Sequence, residues 1–134
     1  MKNFRLLILL LSISMAFISC DKDEDEVAGV SGNKYETTYA KFEMTGSITL
    51  TMELKTKAEL EENEIYSVIE FKSDGKFYTD DEMNGTWTQS GSTVTITSDG
   101  ESFSGNLSGN VLTISTTETE DGDTTKITMK LTKM

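Results

Sequence analysis

From residue 33 onward, apolar and polar residues alternate with a period of two, the pattern of a half-buried strand whose successive side chains point to opposite faces. Ile48, Leu50, Met52 and Leu54 alternate with Thr49, Thr51 and Glu53, and Val94 and Ile96 with Thr93, Thr95 and Thr97. The same holds for Leu112 and Ile114, and for Ile127, Met129 and Leu131, while Ile65, Ile69 and Phe71 share a face with Ser67. Threonine, a strand-favouring residue, fills the polar face repeatedly. Turn signals separate the runs: Ser73-Asp74-Gly75, Asn84-Gly85, Ser90-Gly91-Ser92, Ser98-Asp99-Gly100, Ser108-Gly109-Asn110 and Asp121-Gly122-Asp123. Proline, which removes a ladder donor, is absent. The pattern predicts about eight to ten short antiparallel strands in consecutive hairpins.

What covers the apolar face then decides the fold. The one helical signal is Thr56 to Glu62, where Thr56 and Glu59 have capping-box spacing. That gives one or two turns, too little to shelter a sheet, so the sheet must cover itself. Short uninterrupted hairpins favour an all-β, up-and-down meander closing into a barrel. A β-sandwich is the alternative, with Lys55 to Glu64 as its one stretch suited to a crossover. An internal echo supports repeated hairpins: SGSTVTIT at 90–97 matches SGNVLTIS at 108–115.

Ahead of this region the order of residues is that of a secretory signal peptide. Lys2 and Arg5 precede an apolar run, Leu6 to Ile18, and the small Ser19 stands before the only cysteine. The run is shorter than the roughly 20 residues a membrane-spanning helix needs. Phe17-Ile18-Ser19-Cys20 resembles the lipobox of bacterial lipoproteins, which implies cleavage before Cys20 and lipidation of its sulfur. Several acyl chains on one cysteine give stable anchoring to a membrane. Asp21 to Glu26 holds five acids in six residues, a self-repelling tether. It also resembles the acidic export signal of surface-exposed Bacteroidetes lipoproteins. The expected localisation is therefore the outer membrane, lipid-anchored and surface-exposed, with its periplasmic face as the alternative. The expected organisation is a signal peptide at 1–19, an acidic tether at 20–32 and a barrel domain at 33–134.

The first 19 residues carry two of the 12 basic residues and none of the 23 acids, so the remainder has a formal net charge of 10 − 23 = −13. Such a surface repels nucleic acid, and no basic patch offers a phosphate footprint. Histidine is absent, which excludes Cys/His zinc sites and triads with an imidazole base. Asp21, Asp23 and Asp25 begin like a calcium loop, but Glu26 and Gly32 stand where glycine and a bidentate glutamate are needed. No metal or cofactor is expected. Ser73-Asp74-Gly75-Lys76 has Ser-x-x-Lys spacing without its companion elements and lies in a turn. The chain is expected to be non-catalytic.

Ile69 to Ser115, with FKSDGKFYT, GTWTQSGSTVTIT and LSGNVLTIS, resembles the lipocalin-like domain of small Bacteroidetes lipoproteins. The resemblance covers about residues 32–134, with Gly32-Asn33-Lys34-Tyr35 where lipocalins open on Gly-x-Trp. It implies a barrel and a small apolar ligand as candidate partner. Trp87, Phe71, Phe77 and Phe103 are candidates for ligand-lining or for core, and Tyr78 is judged with them. Asp123-Thr124-Thr125 resembles a short O-glycosylation signal, making Thr124 a candidate in an expected exposed turn. Two readings follow: a hollow barrel holding an apolar ligand, or a filled barrel acting as a structural or protein-interaction lipoprotein with an apolar patch outside and no identified protein partner.

Overall fold

The computed structural model describes residues 29–134. Nine strands and one short helix follow in chain order: β1 Lys34–Thr45, β2 Leu50–Leu54, α1 Lys57–Glu62, β3 Val68–Phe71, β4 Lys76–Thr79, β5 Glu82–Ser90, β6 Thr93–Ser98, β7 Glu101–Ser108, β8 Val111–Glu120 and β9 Asp123–Lys133. Each strand from β3 to β9 pairs antiparallel with the next, and β1 pairs with both β3 and β9. The result is a closed eight-strand, up-and-down barrel, with β2 added alongside β1. It is the all-β architecture that the hairpin pattern favours, and not the sandwich.

The long strand β1 carries two neighbours on one side. Lys34 to Glu36 pair with β3, while Ala40 to Met44 pair with β2. Between those neighbours the chain leaves the sheet as α1. Its capping box is formed: Thr56 Oγ1 accepts from the Glu59 amide at 3.3 Å, and Glu59 Oε2 accepts from the Thr56 amide at 3.0 Å. The helix turns one apolar residue inward, Leu60, fully buried with Ala40, Leu54 and Ile65. So α1 plugs the break in the wall where β1 changes partner.

The two ends of the barrel differ. At the end where β1 starts, Tyr35, Phe71, Val94, Leu107, Leu112 and Leu131 pack into a continuous core. Val30 joins them with no exposure, and its amide donates to Gln89 Oε1 at 3.0 Å. The folded part therefore reaches back to at least Gly29, into the segment expected to be tether. The rest of that segment, Cys20 and the expected signal peptide lie outside the described residues.

One expected turn is displaced. Asn84-Gly85 lies inside β5, and the β4–β5 hairpin turns at Asp80-Asp81, both with positive φ (51° and 64°). Aspartate tolerates that left-handed conformation. Gly85 has a different duty. A Cβ there would lie 2.0 Å from the Thr97 carbonyl oxygen and 2.8 Å from the Phe77 ring. The glycine permits close approach beside the bulge between Phe77 and Tyr78.

Candidate functional site

Above the closed-end core the barrel is hollow. The cavity measures about 250 Å³. Its floor is the top of the core, Phe77, Ile96 and Leu131, and its walls are Ile69, Phe103, Ile114, Ile127 and Met129. Its polar rim is Ser67, Thr79, Asn84, Ser98 and Thr116. The alternation explains this composition, because the inward residues of β9 are Ile127, Met129 and Leu131 and those of β6 are Ile96 and Ser98. Eight-strand barrels are just wide enough to be filled by side chains or to hold one small ligand. Here the lower half is filled and the upper half is not.

The rim hydroxyls are largely committed to the protein. Ser98 Oγ donates to the Asn84 carbonyl at 2.7 Å, Asn84 Nδ2 donates to Thr79 Oγ1, and Ser67 Oγ lies 3.3 Å from Thr37 Oγ1. None of the lining side chains is titratable. The wall can offer dispersion contacts and shape, with no acid or base aimed at a bound molecule.

The aromatic candidates divide between the two halves. Phe77 and Phe103 line the cavity. Phe71 is fully buried beneath it, with Tyr35 and Trp87 edge-on at 5.7 Å each. Trp87 is half-buried, does not reach the cavity, and donates its indole N–H to the Lys72 and Lys76 carbonyls at 3.0 and 3.1 Å. It ties the β3–β4 turn to the core. Tyr78 is on the outer face, within reach of the Lys72 ammonium, 5.8 Å from the ring centroid. Thr124 lies within β9, not in a turn, paired with Thr119 on β8 and Thr45 on β1, and its hydroxyl is 3.1 Å from that of Thr119. Lys76 of the Ser-x-x-Lys spacing pairs loosely with Asp74 at 4.0 Å on the surface.

Two features escape a reading of alternation alone. The first is a parting of the wall. The β7–β8 ladder runs from Ser108↔Val111 only to Gly105↔Ile114. Beyond it, Glu101 to Ser104 pair with β6 alone, and Ser115 to Glu120 with β9 alone. Gly105 marks the pinch, since a Cβ there would lie 2.9 Å from both Ile114 and Leu112. If the register continued, Glu101 would stand opposite Glu118, a destabilising like-charge pair. Both fall on the inner face, one step above Phe103 and Thr116. Glu101 Oε2 and Glu118 Oε1 are buried and accept no hydrogen bond. Burial, Glu118 and Asp99 together push the Glu101 carboxyl above its ordinary value.

The second feature is the height of the β1–β2 hairpin. Met44 and Leu50 are cross-strand neighbours, as are Phe42 and Met52, and they continue the inward face of Ala40 and Leu54. Leu50 is nevertheless 55 % and Ile48 69 % exposed. The tip is clasped to β9, where the Ser47 amide donates to Asp123 Oδ1 at 2.7 Å. An apolar wall thus rises past the cavity on one side. No protein-family model matches the chain, and neither the curated proteins nor the solved structures hold a match.

Proposed function

We propose that this protein is a non-catalytic lipoprotein, anchored to the outer membrane through Cys20 and surface-exposed, whose barrel holds one small apolar molecule. The observation that carries the reading is the apolar, open-ended cavity above the closed-end core. At about 30 Å³ per water-sized unit it admits roughly eight non-hydrogen atoms. That is small beside the usual range of ligand pockets, and the apolar inner face of β1–β2 would extend it. The lipocalin-like resemblance of residues 69–115 points the same way, and the lack of a titratable wall residue supports a binding role. Anchoring and location rest on the order of residues around Cys20, with the periplasmic face of the outer membrane as the alternative.

The competing reading, a filled interaction module, called for a solid interior and an apolar patch outside. Met44, Ile48, Leu50 and Met52 are exposed, but Met44, Leu50 and Met52 lie on the face that continues the barrel interior, which favours the ligand.

Calorimetric titration with a small apolar probe, 1-hexanol, tests the cavity. Binding is expected to be lost in Ile127→Phe and Ile69→Phe, each of which fills the wall. Binding retained in both folded variants would place the probe elsewhere and end the reading. Mass spectrometry of the mature N-terminus tests the anchor, expecting an acylated Cys20, and protease shaving of intact cells tests surface exposure.

A further inference from the structure

We propose that the free edge of β2 receives an extended segment of a partner protein, which adds as a further strand with apolar side chains turned inward and lysine or arginine turned outward. The proposal does not depend on the cavity reading above. Among the described residues β2 pairs with β1 alone. On its far side the backbone N–H and C=O groups of alternate residues have no ladder partner. The wall next to it is short, because β3 and β4 have four residues each. Thr79, the last residue of β4, pairs with Ile69, and Ile69 pairs with Tyr35. β2 starts farther along β1, opposite Ala40. The edge therefore stands clear of the β4–β5 turn, and Leu50 to Glu53 are all exposed.

The same molecule shows what a closed edge looks like. At the β7–β8 parting, Glu101 to Ser104 and Ser115 to Glu120 also present free edges. Each carries an inward-pointing charge, Glu101 and Glu118, a device by which sheets keep foreign strands from adding. β2 has no such guard. Its inward residues Leu50, Met52 and Leu54 are apolar, its register with β1 is unbroken, and the chain has no proline. Its one charge, Glu53, points outward and is engaged by Tyr39 at 2.9 Å and Lys55 at 2.7 Å.

The surroundings of the edge define the occupant. Backbone donors and acceptors in a row call for an extended chain, the mode of strand addition. On the inner face Leu50 is 55 % and Met52 39 % exposed, and apolar side chains on an added strand would lie directly against them. On the outer face the cross-strand neighbour of Glu53 is favourably a base. The adjoining β4–β5 turn, Asp80-Asp81 followed by Glu82, adds acids and no base. A second copy fits less well, since each copy without its first 19 residues carries a formal charge of 10 − 23 = −13 and the two repel.

Hydrogen exchange of the β2 amides, read by NMR on the purified protein at physiological salt, tests the proposal with three heptapeptides. One alternates lysine with valine, one alternates glutamate with valine, and one has the lysine–valine composition with its valines contiguous. In the free protein the β2 amides that face β1 are expected to exchange slowly and the intervening ones fast. The alternating lysine–valine peptide should slow the fast set and bind about tenfold tighter than either of the others. Leu50→Lys and Met52→Lys each place an inward charge on the edge and should weaken binding about tenfold. An amide spectrum unchanged outside β1 and β2 checks their fold. Thr117→Lys adds the same charge on the outer face of β8 and should leave binding intact. No slowing of the fast amides, equal binding of either control peptide, or full binding to both lysine variants of β2 overturns the proposal. So does slow exchange of every β2 amide in the free protein. A dimer by sedimentation would then assign the edge to a second copy, and a monomer to the chain's own residues. The cavity reading is decided separately, by 1-hexanol and Ile127→Phe.

Discussion

At position 101 three influences act on one carboxyl in the same direction: burial first, then the charges of Glu118 and Asp99. Its folded pKa lies above the ordinary 4.5, so the native state holds that proton more tightly than the unfolded chain does. The stability this confers is complete below the unfolded value and is lost as pH rises through the raised folded value. At neutral pH the ionised side chain therefore works against the fold. Glu101→Gln is expected to raise the thermal midpoint at about pH 7 and to leave it unchanged near pH 3.5, where the wild-type residue is already protonated. A melt at both pH values checks this, and an equal gain at both would point to packing instead of charge. The aromatic residues show what single positions do not reveal. Phe71, Phe77, Phe103 and Trp87 all sit on inward strand positions, yet Phe77 and Phe103 line the cavity while Phe71 and Trp87 lie in the plug. Height along the barrel axis separates them, and height depends on how neighbouring strands are staggered.

At the level of elements, the short helix was legible because its signal is local: Thr56 and Glu59 are three residues apart and satisfy each other's amides. Five of the six turn signals also mark turns, because glycine or a left-handed aspartate answers a local backbone requirement. Asn84-Gly85 misled because its glycine serves a contact with Thr97 and Phe77, residues far from it in sequence. The parting of β7 from β8 was hidden for the same reason, since the end of a ladder depends on pairing between two strands that neither segment reveals alone. What alternation does not convey is that α1 stands in for sheet. It fills the wall between β2 and β3 with Leu60, which has no exposure. Leu60→Ala is expected to cost about 2–5 kcal/mol, the range for a buried leucine, with amide exchange in β2 rising more than in β8. Thr56→Ala, which removes only the cap, is expected to cost about 1 kcal/mol. Denaturant melts with site-resolved exchange distinguish the two, and a uniform rise in exchange would mean that α1 is no separate plug.

Across the whole molecule, charge is sorted by barrel end, and that sorting bears on stability. The mouth gathers Asp80, Asp81, Glu82, Asp99, Glu101, Glu118, Glu120, Asp121 and Asp123 around one opening. The ion pairs that offset acids lie elsewhere, on the outer wall and near the closed end: Lys41 with Glu43, Lys55 with Glu53 and Lys72 with Glu70, at 2.6–2.8 Å. Such exposed pairs contribute little, so the mouth carries an unrelieved repulsion that salt can screen. At about 0.5 M salt the Debye length is only a few ångströms, against about 30 Å at 0.01 M. The melting temperature should therefore climb as salt is added at neutral pH. Glu82→Gln with Glu120→Gln removes two exposed charges from the mouth without touching the cavity. This double variant should melt higher than wild type at low salt and converge with it at high salt. If the two curves stay parallel, the acids at the mouth do not repel one another appreciably. Convergence instead assigns the deficit to one cause, a ring of like charge that the fold tolerates at the opening of its apolar cavity.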